Sequence, residues 1–145
     1  MRKFLGLALV AIIACTVAFA GQDRIIPFEN LPKKAQVFVK QYFGNQSISL
    51  VKQETEILSK TYDVIFASGD KIEFDGSGQW KEIDCRTELP EGVVPAAIND
   101  YLIRNHPNLP ARKIERQFRG RFEVKLANGL ELTLTSSGRV VGVDD

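Results

Sequence analysis

Residues 66–85, FASGDKIEFDGSGQWKEIDC, and residues 126–145, LANGLELTLTSSGRVVGVDD, set the same residue types at the same spacing. Each stretch has a turn glycine (Gly69, Gly129), apolar alternation after it (Ile72 and Phe74; Leu132 and Leu134), a second glycine (Gly78, Gly138) and a closing aspartate (Asp84, Asp144). Self-similarity at a fixed period marks a repeated supersecondary unit, and it restricts the fold more than composition does. The echo extends upstream: LPKKAQVFVKQYFGN from Leu31 is answered by VPAAINDYLIRNHPN from Val94. Pro32 and Pro95 stand where a helix tolerates proline, in its first turn, with Asn30 as candidate N-cap. Leu31, Ala35, Phe38, Val39 and Tyr42 recur at helical spacing, matched by Val94, Ile98, Tyr101, Leu102 and Asn105. Gly44 and Pro107 end the two helices.

Four strand signals follow each helix. In the first copy they lie near Ile48 to Gln53, Thr61 to Ala67, Lys71 to Asp75 and Gln79 to Asp84; in the second, near Ala111 to Gln117, Arg121 to Leu126, Leu130 to Thr135 and Arg139 to Val143. Ser68-Gly69-Asp70, Asn128-Gly129 and Gly76-Ser77-Gly78 supply hairpin turn chemistry. The pattern predicts an α+β chain built as a tandem repeat of two units, each a helix followed by a four-stranded antiparallel sheet. Repeat 1 is residues 31–84, the linker 85–93 and repeat 2 residues 94–145, after an N-terminal extension over 21–30. Alternation assigns Tyr62, Val64, Phe66, Ile72 and Phe74, and Phe122, Val124, Leu126, Leu130, Leu132 and Leu134, to the face each helix covers. The other face of each sheet is left uncovered.

The first twenty residues, MRKFLGLALVAIIACTVAFA, put Arg2 and Lys3 before an apolar run that ends on Ala18-Phe19-Ala20, the pattern of a signal peptidase site. The run is shorter than the ~20 apolar residues of a membrane span, and no other stretch of the chain serves as one. The chain is expected to be periplasmic or secreted, cleaved after Ala20. The alternative makes Ile12-Ile13-Ala14-Cys15 a lipobox anchoring the protein at Cys15; the apolar Thr16 to Ala20 that follow are unlike a lipoprotein tether. The full chain of 145 residues has a formal charge of +1, which becomes −1 once Arg2 and Lys3 are removed. That balance offers no basic excess for nucleic acid. A chain of this size buries one core, or two small ones side by side. Cleavage leaves Cys85 as the single cysteine, so no intrachain disulfide is available.

On the uncovered face, strict alternation places Ile48, Leu50, Ile65 and Trp80 among Asp63, Lys71, Glu73, Glu82 and Asp84, against Ala111, Lys113, Lys125 and Val140 in the second copy. An apolar patch with the only tryptophan, ringed by charge, has the composition of a protein interaction surface. Burial of that patch by the other repeat or by an identical subunit is the alternative. Trp80, Ile48, Leu50, Ile65 and Glu82 are the predicted binding residues. The carboxylates Asp63, Glu73, Asp75, Glu82 and Asp84 read as a solvated strand face with interleaved lysines, since Asp75-Gly76-Ser77-Gly78 lacks the alternating ligands and distal glutamate of a calcium loop. No cofactor or metal site is expected. His106 is the only histidine, which excludes a multi-histidine metal site, and its place before Pro107 reads as helix-terminal. Cys85, at a strand end beside Arg86, reads as a shielded free thiol; a homodimer bridged through it, if its strand lies at an edge, is the alternative.

The chain resembles the PepSY-like, β-lactamase-inhibitor-like periplasmic proteins of Bacteroidetes-type bacteria. The likeness rests on Leu31-Pro32 with Ala35 and Phe38-Val39; on Lys71-Ile72-Glu73-Phe74-Asp75 with Gly78 and Trp80-Lys81-Glu82-Ile83-Asp84-Cys85; and on Val94-Pro95-Ala96-Ala97-Ile98 and Asn128-Gly129. It implies two α/β repeats resembling β-lactamase inhibitory protein, export, and no established enzymatic activity, with no site residues to transfer. The second copy departs from the pattern, with Val140 for Trp80 and Asp145 for Cys85. The expected function is that of an exported non-enzymatic module engaging a protein or peptide, inhibitor-like, through the open face of repeat 1. The alternative is a small-ligand or metal-ion carrier using the cleft between repeats. Intact-mass measurement of the exported protein is expected to give a chain beginning at Gly21; a heavier, membrane-bound chain beginning at a diacylated Cys15 would refute cleavage after Ala20.

Overall fold

The computed structural model describes residues 22–145, so the expected leader, Cys15 and Gly21 lie outside the described residues. In chain order the elements are β1 (Gln22–Ile25), a 3-10 turn (Phe28–Asn30), α1 (Lys33–Phe43), β2 (Ile48–Thr55), β3 (Lys60–Phe66), β4 (Lys71–Asp75) and β5 (Trp80–Asp84). There follow α2 (Ala96–Asn105), β6 (Ala111–Arg116), a second 3-10 turn (Phe118–Gly120), β7 (Arg121–Leu126), β8 (Glu131–Thr135) and β9 (Val140–Asp144). The chain is α+β, with two helices on a nine-stranded antiparallel sheet whose strands lie in sequence order.

Two features of this architecture differ from the sequence expectation. The first half does not end in an exposed edge: β5 pairs with β6 through Glu82–Glu115, Ile83–Ile114 and Asp84–Lys113, making one sheet with no cleft between two sheets. The extension over 21–30 also supplies an edge strand. β1 pairs along β2, and the Ile26 N–H continues the ladder onto the Val51 carbonyl at 3.0 Å. All four β1 side chains are exposed, so no burial alternation marks it in sequence; backbone pairing and the buried Ile26 hold it.

Each helix begins directly after its proline. The Pro32 carbonyl accepts the N–H groups of Ala35 and Gln36 at 2.9 and 3.1 Å, and the Pro95 carbonyl accepts that of Asn99 at 2.9 Å. Asn30 is not the N-cap; it closes the 3-10 turn by donating its N–H to the Pro27 carbonyl. The apolar stripes then turn Ala35, Val39 and Phe43, and Ile98 and Leu102, into the core. Opposite them runs a row of facing side chains, one per strand from β2 to β8: Val51, Val64, Ile72, Ile83, Ile114, Val124 and Leu132. All are buried, and each contributes on the order of 1.5–3 kcal/mol against its conformational entropy. Phe43 stacks on Phe66 at 5.0 Å and 14°, and Phe38 meets Phe74 edge-on at 5.9 Å, which fixes α1 over the first half.

The register slips at corresponding places in the two halves: at Ile48/Leu50 and Glu73/Phe74, and at Ala111/Lys113 and Thr133/Leu134. Each slip is a β-bulge, which sets two residues of one strand against one of its neighbour and so breaks strict alternation.

The turns after β4 and β8 press on the helix starts. A Cβ on Gly78 (φ 89°) would lie 2.9 Å from Pro32 Cβ, and one on Gly138 (φ 85°) 2.5 Å from the Ala97 carbonyl oxygen. Gly129 shares the positive φ (90°) but faces open space. Gly129→Ala is therefore expected to cost roughly 1–2 kcal/mol, the left-handed strain alone. Gly138→Ala, which adds a clash with backbone, is expected to cost on the order of 3–4 kcal/mol by urea unfolding. Equal losses would show that the turn does not bear on α2.

Candidate functional site

The structure separates the five predicted binding residues. Leu50 and Ile65 are cross-strand partners and, with Glu82, lie on the face away from the helices. Trp80 and Ile48 do not. The bulge at Lys81 turns Trp80 opposite Phe74 on the helix side, where it is 6% exposed, and the bulge after Ile48 sets that residue opposite Phe66. Trp80 packs 6.3 Å from Phe122, and the Arg116 guanidinium lies over its indole at 4.0 Å while Nε donates to the Trp80 carbonyl at 2.9 Å. It joins strands of the two halves under the helices, and among the described residues the open face has no aromatic centre.

What the open face does carry is charge in rows. Directly beside the apolar row, but pointing the other way, Asp63, Glu73, Glu82, Glu115 and Glu123 face one another across β3 to β7. The next row on the same face is mixed: Leu50, Ile65, Lys71, Asp84, Lys113, Lys125 and Glu131. Like charges directly opposite cost roughly 0.2–1 kcal/mol per pair, and the first row contains such pairs in succession. Lysines offset part of that cost: Lys81 Nζ stands 3.3 Å from Glu73 and Lys113 Nζ 3.2 Å from Glu82. Glu123 accepts a 2.6 Å hydrogen bond from Gln117. Among the described residues no lysine or arginine stands within 4.0 Å of the Glu115 carboxylate, and burial, with the like charges of Glu82 and Glu123, pushes its carboxyl above the ordinary value against the pull of Lys113.

Asp63 anchors the row at β3. It is 4% exposed; its Oδ2 stands 3.6 Å from Lys71 Nζ and 3.9 Å from Lys52 Nζ, and its Oδ1 accepts no hydrogen bond. Burial pushes its pKa up against the pull of Lys71, and the charges of Glu54 and Glu73 add to the rise. Asp75 behaves oppositely. Burial raises it, but hydrogen bonds from the Ser77 hydroxyl and from the backbone of Gln79, Ser77 and Gly78 outweigh that and lower it. Its Oδ1 is fully engaged in closing its turn. Among the described residues no three histidine, cysteine, aspartate or glutamate side chains are grouped to hold one metal ion.

Cys85 ends an interior strand, not an edge. It is 1% exposed, and burial, with the charges of Asp70 and Asp84, pushes its thiol up to about 12. A bridge through it to a second chain has neither the edge nor the accessible sulfur it requires. His106 closes α2 as expected, its N–H donating to the Leu102 carbonyl at 2.8 Å. Its ring lines a hollow of about 410 Å³ between α2 and the 85–93 segment, with Glu88, Leu89, Asn99 and Ile103.

Fold and face together define a small α+β protein with one sheet face under helices and the other bearing ordered charge. The chain belongs to the PepSY-like family: the family described as "Putative beta-lactamase-inhibitor-like, PepSY-like" matches residues 60–141. A Bacteroides thetaiotaomicron structure, described as "a putative calcium-regulated periplasmic protein", is 40% identical with a TM-score of 0.81, covering 85% of this chain and 97% of that one. A Bacteroides vulgatus periplasmic protein matches at 40% identity and TM-score 0.81, covering 86% and 98%. A second from that organism, described as of unknown function, matches at 31% and 0.78, covering 86% and 100%. No curated protein matches the chain.

The raised pKa of Asp63 gives the row a stability signature. The unfolded chain loses this proton at lower pH than the folded one, so stability falls as pH rises from the unfolded value through the folded value and is level above it. Asp63→Asn removes that fall: its urea midpoint is expected to exceed the parent's near neutral pH and to match it at about pH 3. A lower midpoint at neutral pH would mean that the ion pairs with Lys52 and Lys71 outweigh burial.

Proposed function

We propose that the chain is an exported, non-enzymatic binding module that engages a protein or peptide through the open face of its sheet, in an inhibitor-like manner. The carrying observation is that both helices pack on the apolar side, while the opposite side bears Leu50, Ile65 and an ordered array of charge with no described helix against it. Export is supported by the leader and by relatives described as periplasmic. The two halves are read as duplicated helix-plus-four-strand units, which accounts for the matching bulges. Trp80 and Ile48 take no part in the contact surface; Leu50, Ile65 and Glu82 remain in it. The calcium regulation named for the B. thetaiotaomicron relative is not carried over, because the carboxylates stand one per strand rather than around one point.

A photo-reactive amino acid at Asp84, exposed on the open face, is expected to form adducts with a discrete partner in the exporting cell. The same amino acid at Arg104, exposed on α2, is expected to form none. Adducts from Arg104 alone, or the same adducts from both, would overturn the assignment of the face.

A further inference from the structure

We propose that one end of the sheet, where the β2–β3 and β6–β7 connections project, docks on an anionic lipid surface: Ile57, Leu58 and Phe118 enter its apolar boundary, and Arg119, Arg121 and Arg139 hold its phosphates. This end is distinct from the open face. Among the described residues the three most exposed large apolar side chains are Leu58 at 97%, Phe118 at 85% and Ile57 at 74%. Scattered exposed apolar residues are ordinary, but these three gather at one end. The strands run antiparallel in sequence order, so alternate connections share an end, and β2–β3, β6–β7 and β8–β9 share this one. The β6–β7 loop also has a costly backbone. Arg119 (φ 63°) is the one non-glycine residue with positive φ among the described residues, and Gly120 follows at 69°. Successive positive φ values favour asparagine or aspartate before the glycine. An arginine stands there instead, its guanidinium 5.9 Å over the Phe118 ring. Such backbone outliers collect at ligand contacts.

The charge at the β6–β7 corner has one sign. Residues 116–122 and 135–141 contain no aspartate or glutamate. Arg119, Arg121 and Arg139 are exposed, and among the described residues no carboxylate stands within 4.0 Å of any of them. Thr135 links the last two across the sheet, facing Arg121 and donating its N–H to the Arg139 carbonyl. Glu123, the next carboxylate along β7, is held by Gln117 at 2.6 Å. The β2–β3 connection adds Glu56 and Lys60, which balance. Guanidinium groups bind phosphate oxygens two at a time, which points to the class of anion. Spacing points to the partner. The two connections are four strands apart, roughly 19 Å at about 4.8 Å per strand, and each exposes its apolar side chains on a separate projection. A protein would need two pockets at that separation. A bilayer offers apolar depth behind a plane of phosphate everywhere, so both projections enter at once. Export, supported by the leader and by relatives described as periplasmic, brings the chain to a compartment bounded by membranes.

Flotation of the mature protein with vesicles tests this. The protein is expected to float with vesicles of phosphatidylglycerol and phosphatidylcholine in equal parts, less so as salt rises, and not with phosphatidylcholine alone. Leu58→Ser with Phe118→Ser is expected to weaken binding at least about tenfold. Arg119→Asn with Arg121→Gln is expected to weaken it about tenfold or more. Asparagine suits the turn at 119, so that loss is not a loss of fold. The pair Ile103→Ser and Arg104→Gln, at exposed positions on α2, should leave binding unchanged. No binding to the anionic vesicles, equal binding to both kinds, or equal weakening by the α2 pair would overturn the proposal. A photo-reactive amino acid at Phe118 is expected to give lipid adducts in the exporting cell. Adducts with one discrete protein alone would assign this end to a protein partner and overturn the proposal as well. The Asp84 adducts test the open face separately, so failure of either reading leaves the other standing.

Discussion

The ladder between β5 and β6, where Ile83 faces Ile114, joins the five strands β1–β5 and the four strands β6–β9 into one sheet, and most of what distinguishes the molecule is decided there. Apart, each half would present a bare strand edge, a template for unwanted pairing, under a small core. Joined, the two edges satisfy each other and the apolar rows become one line from Val51 to Leu132. The 85–93 segment extends the seam beyond the ladder: the Cys85 N–H donates to the Arg112 carbonyl and the Leu89 N–H to the Ala111 carbonyl, each at 2.8 Å. Buried Asp70 holds the start of that segment, accepting the Arg86 N–H at 2.8 Å and the Gln46 amide at 2.9 Å.

The same seam creates the charged row. Asp63, Glu73 and Glu82 are each visible in the sequence as outward strand positions, and read singly they are an ordinary solvated face. They become half of a line only because β6 brings Glu115 beside Glu82 and β7 adds Glu123. Those partners lie 33 and 41 residues further along the chain from Glu82. Local periodicity fixes which way a side chain points, but not which strand will lie beside it. The burial of Asp63 was invisible for a related reason: it arises from neighbouring strands and from Lys52 and Lys71 folding over it, none of which is a property of the segment around residue 63.

Most strand and helix positions were legible because turn glycines and prolines punctuate the chain and the apolar residues alternate between them. Alternation failed at the bulges. Counting by twos from Ile83 sends Trp80 outward with Glu82, whereas the extra residue Lys81 returns it to the helix side opposite Phe74. Lys81 takes the outward position itself and pairs with Glu73. A charged residue between a large aromatic and the strand's apolar residue is compatible with either arrangement, and in the fold the bulge leaves Trp80 lining one hollow with Phe38 and Tyr42 of α1.

That relocation also changes what the differences between the two halves mean. Trp80 and Cys85 have Val140 and Asp145 at their matching positions, a contrast that in sequence looks like a function confined to the first copy. In the fold, Trp80 lies where β5 meets the second half, against Phe122 and under Arg116, and Cys85 lies where the chain packs along β6. β9 is an edge strand of the sheet among the described residues. Val140 therefore has no second half of the sheet beside it, whereas Trp80 does. The large aromatic and the buried thiol belong to the junction, and the asymmetry of the open face lies instead in the carboxylates, which run from the first half into the second and give way to Thr133 and Gly142 at the far edge.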